Sequence, residues 1–183
     1  NGIKKRFHEL ILSFPKSNAG FAVLTKSETR EALLEGLIKI FAFIGSVPTT
    51  IWFDQMSSAA LRTRDEKGIV QVAGFVQRFA THYGFAIKFC NPESGHEKGN
   101  VERKVGTIRR NLFVPEPEIT NLEAYNNDLL EKCQTLNKEN HYIHKIPKEQ
   151  IFEEEKVMMV PMNTAPFDTA KYESRKVNKY GLV

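Results

Sequence analysis

The chain has 183 residues, 41% of them apolar and 26% charged, enough for one substantial core and ordinary for a globular protein. No apolar run approaches the roughly 20 residues that span a bilayer, and no signal-type segment precedes the first strand-like run, so membrane and secreted classes are set aside. A formal net charge of +4 and an isoelectric point near 9.0 favour an anionic partner without specifying one.

In chain order, His8–Phe14 is an apolar run closed by Pro15-Lys16-Ser17-Asn18, and Gly20–Leu24 follows it, which predicts an antiparallel hairpin. Ser27 is the expected cap of a helix with Glu28 and Glu31 in its first turn and a stripe of Leu33, Leu37, Ile40, Phe41 and Ile44. Gly45 and Pro48 end it. Thr50–Phe53 is short and β-prone, the pattern of a central strand covered on both faces, so Trp52 and Phe53 are expected in the core. Asp54 stands at its carboxyl end.

A charged loop, Arg62–Gly68, leads to a second helix with Val72, Phe75, Val76, Phe79 and Tyr83 on one side. The strand-like run 85–90 comes next, then a loop, then a helix striped by Val101, Val105, Ile108 and Leu112. A further helix spans about Leu122 to His141. The alternation predicts an α/β layered sheet with helices on both faces. Cys90 and Cys133 have no metal-type spacing and read as reduced thiols of a cytoplasmic protein. His141 and His144 lack a partner cluster and are assigned no metal.

Residues 1–146 are expected to form the core domain. From Pro147 onward, Glu153-Glu154-Glu155 and three prolines suggest a linker, so 147–183 is read as leading toward a further β-rich domain. Asn1-Gly2 is a turn dipeptide and Tyr180–Val183 resembles the start of a strand, so the chain reads as a domain of something longer.

The chemistry centres on Lys98-Gly99-Asn100-Val101-Glu102-Arg103-Lys104. Between Lys98 and Arg110 there are five basic residues and one acid, Glu102. A basic helix with one positioned carboxylate suits a protein that grips phosphate and holds a metal ion at the scissile bond. In open α/β sheets ligands bind beyond the carboxyl ends of the strands, where Asp54 lies. Alone, Asp54 is better read as a turn or cap residue, and Glu102 as a solvated helix residue paired with nearby Lys or Arg. Together with Phe89-Cys90-Asn91-Pro92-Glu93-Ser94, Gly45-Ser46-Val47-Pro48 and Ile51-Trp52-Phe53-Asp54-Gln55, they form a more specific pattern.

That pattern resembles the ribonuclease H-like DDE transposases and integrases, and most closely the IstA-type insertion-sequence transposases with their retroviral-integrase-like core. Arg175–Gly181 also looks like the stretch entering that family's next domain. The resemblance implies a ribonuclease H-like mixed sheet, with Asp54 and Glu102 as the second and third acidic metal ligands. It implies two Mg²⁺ (or Mn²⁺) ions and in-line cleavage and strand transfer at transposon ends. Lys98, Arg103, Lys104, Arg109 and Arg110, with His96 in the loop before the helix, would contact DNA. The family acts as multimers on paired DNA ends, often with a partner ATPase. The family's first Asp lies on the first strand, and no Asp precedes Asp54 here. Asp65, Asp128 and Asp168 fall in a loop, a helix and the tail, so the resemblance implies that this strand and its Asp lie outside the chain, leaving it inactive by itself. A non-catalytic DNA-binding or assembly domain that keeps the fold is the alternative.

Overall fold

The computed structural model describes residues 4–53, 61–64, 70–90 and 95–170, without the side chains of 63, 64, 70 and 95–102. The hairpin forms as its pattern predicts. Strand β1 (His8–Phe14) pairs antiparallel with β2 (Ala19–Thr25), from His8↔Thr25 to Phe14↔Ala19. The two strands differ sharply in burial: β2 is buried at six of its seven positions, whereas β1 is half-exposed at six of seven.

Helix α1 (Arg30–Ile44) buries Leu34, Leu37, Ile40, Phe41 and Ile44, one face of a 3.6-residue repeat. Its cap is Thr29, whose hydroxyl accepts from Ala32 N, and not Ser27; Ser27 Oγ instead lies 3.1 Å from Thr29 Oγ1. Gly45 ends the helix at φ 71°, left-handed geometry that glycine adopts without a Cβ penalty.

Short strand β3 (Ser46–Val47) precedes β4 (Thr50–Phe53), and β5 (Arg62–Arg64) and β6 (Val70–Val72) pair as an antiparallel hairpin. The segment expected to be a charged loop therefore contains strand pairing. Its charges hid the β-branched residues Thr63, Val70 and Val72, which suit a pleated ladder. Helix α2 (Gly74–Tyr83) buries Val76, Phe79, Ala80 and Tyr83 and leads to β7 (Ala86–Phe89), which pairs parallel with β4. A strand–helix–strand crossover is what a parallel pair requires. Trp52 corrects the expectation of a strand covered on both faces. Side chains alternate along a strand, so Ile51 and Phe53 enter the core while Trp52 turns outward and is 51% exposed.

Helices α3 (Gly95–Leu112), α4 (Leu122–Asn137) and α5 (Lys148–Lys156) follow, with β8 (Val160–Pro161) pairing antiparallel with β3. The segment after Pro147, read as a linker, packs against the rest of the chain. Phe152 of α5 sits 4.7 Å from Phe14 and 5.4 Å from Phe21, ring centroid to centroid. Phe167 lies 5.3 Å from Phe75 and 5.2 Å from Phe79.

The class is mixed α/β, as expected. The described strands, however, form four two-stranded ladders, β1–β2, β3–β8, β4–β7 and β5–β6, and not one continuous sheet. Two apolar clusters underlie them. One joins the hairpin to α4, Ile108 and Phe152; the other joins α1, β4 and α2; Leu10 and Leu12 of β1 touch both. No described helix is long and apolar enough to cross a membrane.

Helix α4 closes the edge of β2 that β1 leaves free. Asn126 accepts from Leu24 N at 2.8 Å and donates to Leu24 O at 2.9 Å. Asn137 does the same for Gly20 at 3.1 and 3.3 Å, and between them the Ala22 backbone hydrogen-bonds the Cys133 thiol. Three alternate strand residues thus find partners on one helix face. Asn126→Ala should leave a buried N–H and C=O of Leu24 unpaired, costing about 2–3 kcal/mol. Thermal unfolding should read this as a drop of roughly 5–10 °C; an unchanged midpoint would show that these bonds do not hold the edge.

Candidate active site and basic helix

Strands β4 and β7 run parallel and end level, with Phe53 opposite Phe89, and Cys90 N donates to Phe53 O at 2.9 Å to carry the pairing one residue further. Asp54 follows Phe53 in sequence but lies outside the described residues. Helix α3 begins at Gly95, six residues after Phe89, and contains Glu102. The side chains of Glu102, Lys98 and His96 are outside the described set. Among the described residues no group of three or more His, Cys, Asp and Glu side chains is placed to hold a metal.

Two cations border this strand end, and sequence reasoning missed both. The Arg62 guanidinium lies 3.9 Å from the Phe89 ring centroid, and Lys88 Nζ lies 5.1 Å from that of Trp52. Residues 52 and 88 are register partners, so the second pair follows directly from the ladder. Cation–ring attraction holds each charge at the edge of the sheet.

The five expected basic contacts on α3 separate into different environments. Arg103 and Arg110 are exposed. Seven residues apart, they lie on one helix face, about 10 Å apart along the axis. Arg109 is exposed but its Nε donates to Glu9 Oε2 at 2.8 Å, tying α3 to β1.

Lys104 is the correction. It is only 6% exposed, its stem crosses Gly20, and its Nζ donates to the Asn18 carbonyl in the hairpin turn. A Cβ on residue 20 would come within 2.7 Å of Lys104 Cδ, so glycine is what lets the lysine pass. Position 104 shares the apolar stripe of 101, 105 and 108, and that spacing was the signal that it turns inward. Burial strips water from its ammonium and, with the nearby charge of Lys148, lowers its pKa to about 8.

Lys104 marks a junction with the loop between α4 and α5. Asn137, at the end of α4, holds Gly20, against which Lys104 packs. Across the loop, buried Lys148 donates to Glu139 Oε2 at 3.0 Å. Buried His141 accepts at Nδ1 from Ile143 N and His144 N, at 3.2 and 3.3 Å, which assigns its neutral-state proton to Nε2. Its pKa is lowered by burial first and then by His144, Lys148 and Lys104. Cys133 is buried, and desolvation pushes its thiol up to about 11.

No family model matches the chain. It is 29% identical over 179 residues to the putative transposase for insertion sequence element IS5376 of Geobacillus stearothermophilus, covering 97% of the chain and 43% of the relative. It is 28% identical over 178 residues to the transposase for insertion sequence element IS21 of Pseudomonas aeruginosa, covering 97% and 42%. A transposase of Aminobacter aminovorans is 35% identical over 108 residues, 58% of this chain and 21% of its own. Along nearly all of its length the chain is thus similar to insertion-sequence transposases. The IstA-type resemblance read from the sequence motifs fits these matches. It spans about two fifths of the length of the first two relatives.

Proposed function

We propose that this chain is the catalytic core of a DDE-type DNA transposase, built on a ribonuclease H-like fold and acting on transposon ends and target DNA. The observation that carries the reading is the shared carboxyl edge of β4 and β7. Asp54 follows the first of these strands and the Glu102 helix follows the second. Their donor set is hard carboxylate oxygen, which fits Mg²⁺ or Mn²⁺. Asp54 and Glu102 would hold the ions. When bound, a pair of such ions supplies an activated nucleophile and neutralises the leaving oxygen of the phosphodiester.

The chain's own residues do the positioning. Arg103 and Arg110, and the cations Arg62 and Lys88 at the strand end, present charge to DNA phosphates. A strand from outside the 183 residues, lying between β1 and β4 and bearing the third carboxylate, would join the two ladders into one mixed sheet. β1 and β4 each pair on one side only among the described ladders, and the half-exposure of β1 supports that insertion. The relatives named as transposases support DNA as the partner; a multimer acting on paired ends with a partner ATPase belongs to the same proposal.

The test compares two lengths of the protein on a labelled transposon-end duplex in Mg²⁺. The 183-residue chain should bind the duplex but neither nick nor join it, because one carboxylate per ion positions the metal poorly. A longer protein that includes the preceding segment should do both. Strand transfer by the short chain would refute the missing-carboxylate reading, and an inactive longer protein that still binds DNA would favour a non-catalytic DNA-binding or assembly domain.

A further inference from the structure

The loop joining α4 to α5, Lys138–Pro147, is built as a rigid platform and yet exposes large apolar side chains. His141 N donates to Ile146 O at 2.7 Å, Lys145 N to His141 O at 2.9 Å, and Lys148 N to Glu139 O at 3.0 Å. The buried His141 ring fixes the tip from within through the Ile143 and His144 amides. On this base the Tyr142 ring stacks over His141, with centroids 4.8 Å apart and planes 29° apart. One face of the tyrosine is thus occupied by the histidine, while the residue as a whole is 63% exposed. Ile143 beside it is 61% exposed.

The charges around this pair select among partners. Residues 138–148 contain three lysines and one acid. The acid, Glu139, is engaged by Lys148, so the exposed Lys138 and Lys145 flank the tip without a carboxylate of their own loop. Lys145 stands at φ 58°, a left-handed conformation that glycine or asparagine would adopt more easily. The loop also springs from the junction that anchors α3, through Asn137, Gly20 and Lys104. A flat ring with one free face, an aliphatic neighbour and two flanking cations match an unstacked base between phosphates.

We infer that the α4–α5 loop is a second nucleic-acid contact, in which Tyr142 stacks on and Ile143 abuts an unpaired DNA base while Lys138 and Lys145 meet the adjoining phosphates. The inference rests on the proposed DNA-handling role and adds a site and a substrate form to it: DNA with unstacked bases, such as a frayed or nicked end.

The test is fluorescence anisotropy of the whole chain on two labelled duplexes, one continuous and one with three unpaired bases at its end. The unsubstituted chain should prefer the frayed duplex. Tyr142→Ala with Ile143→Ala should remove that preference, weakening binding to the frayed duplex about tenfold at an unchanged salt slope. Lys138→Ala with Lys145→Ala should weaken both duplexes and flatten the slope of log K against log salt by about two. Arg103→Ala with Arg110→Ala serves as the reference for α3. If that reference pair weakens binding and neither loop pair does, the loop inference fails while the DNA-handling role stands. If the unsubstituted chain binds neither duplex, the role itself fails and takes the loop with it. Loss of self-association in the sedimentation of the Tyr142/Ile143 variant, with DNA binding intact, would reassign the loop to protein contact. All four exchanged loop side chains are exposed, so far-ultraviolet circular dichroism should match the unsubstituted chain.

Discussion

Asp54→Asn and Glu102→Gln, each made in the longer protein that supplies the third carboxylate, should lower DNA cleavage in Mg²⁺ by about a thousandfold or more. Each exchange keeps shape and removes a full negative charge from an ion's ligand set. Metal stabilisation of a phosphoryl transition state amounts to several kcal/mol, and about 4 kcal/mol corresponds to three orders of magnitude in rate. DNA affinity should stay within about twofold, because phosphate contacts dominate it and neither carboxylate donates to phosphate. The measurement is a single-turnover nicking rate beside an anisotropy titration. A Glu102→Gln protein that nicks at the unsubstituted rate would remove Glu102 from the reaction.

Lys104→Met should reverse its effect on stability between neutral and alkaline pH. At pH 7 the native protein carries a buried ammonium whose pKa has fallen from 10.5 to about 8. A cation with a depressed folded pKa is destabilising below that value, and the cost is relieved as pH rises from about 8 to 10.5, where only the unfolded chain still binds the proton. At 1.36 kcal/mol per unit the full term is about 3 kcal/mol. Methionine keeps the apolar stem but loses the bond to the Asn18 carbonyl, worth about 1 kcal/mol. The variant should therefore be about 2 kcal/mol more stable at pH 7 and about 1 kcal/mol less stable near pH 10.5. Urea unfolding of both proteins across this range checks it. The comparison must be between variant and parent, because Cys133, raised to about 11, has the opposite slope above pH 9. A difference independent of pH would mean that Lys104 is hydrated in solution. His141 adds an acid limb: with its pKa lowered, stability is lost as pH falls below the ordinary histidine value of 6.5.

The hairpin, four helices and the strands around residues 50–53 and 85–90 were legible because their apolar runs are regular and their ends carry glycine, proline or polar caps. What escaped reading depended on neighbours distant in sequence. Lys104 was counted with the solvated bases because its charge outweighed its place in the stripe. Asn126 and Asn137 look like ordinary helix-surface residues until β2 lies beside them, more than 100 positions away. Trp52 was assigned to the interior because its strand was read as covered on both faces, whereas pleat alternation turns it outward. Arg62 and Lys88 gave no signal, since a lone cation near an aromatic residue is common in any chain. The motif around Asp54 and Glu102 drew its strength from pattern, and Asp54 and the Glu102 side chain lie outside the described residues.

The asparagine-and-thiol seal along β2 also determines how the molecule can go wrong. An open strand edge invites pairing with any chain that offers one, which is how domain-swapped dimers and cross-β fibres begin. Here the outer flank of the hairpin has no free amide left at Gly20, Ala22 or Leu24, so growth from that side is blocked unless α4 first detaches. Of the hairpin's two flanks, that of β1 is the one left receptive. Misassembly should therefore propagate from one side, and a synthetic peptide that pairs with β1 should suppress it where a peptide matched to β2 does not.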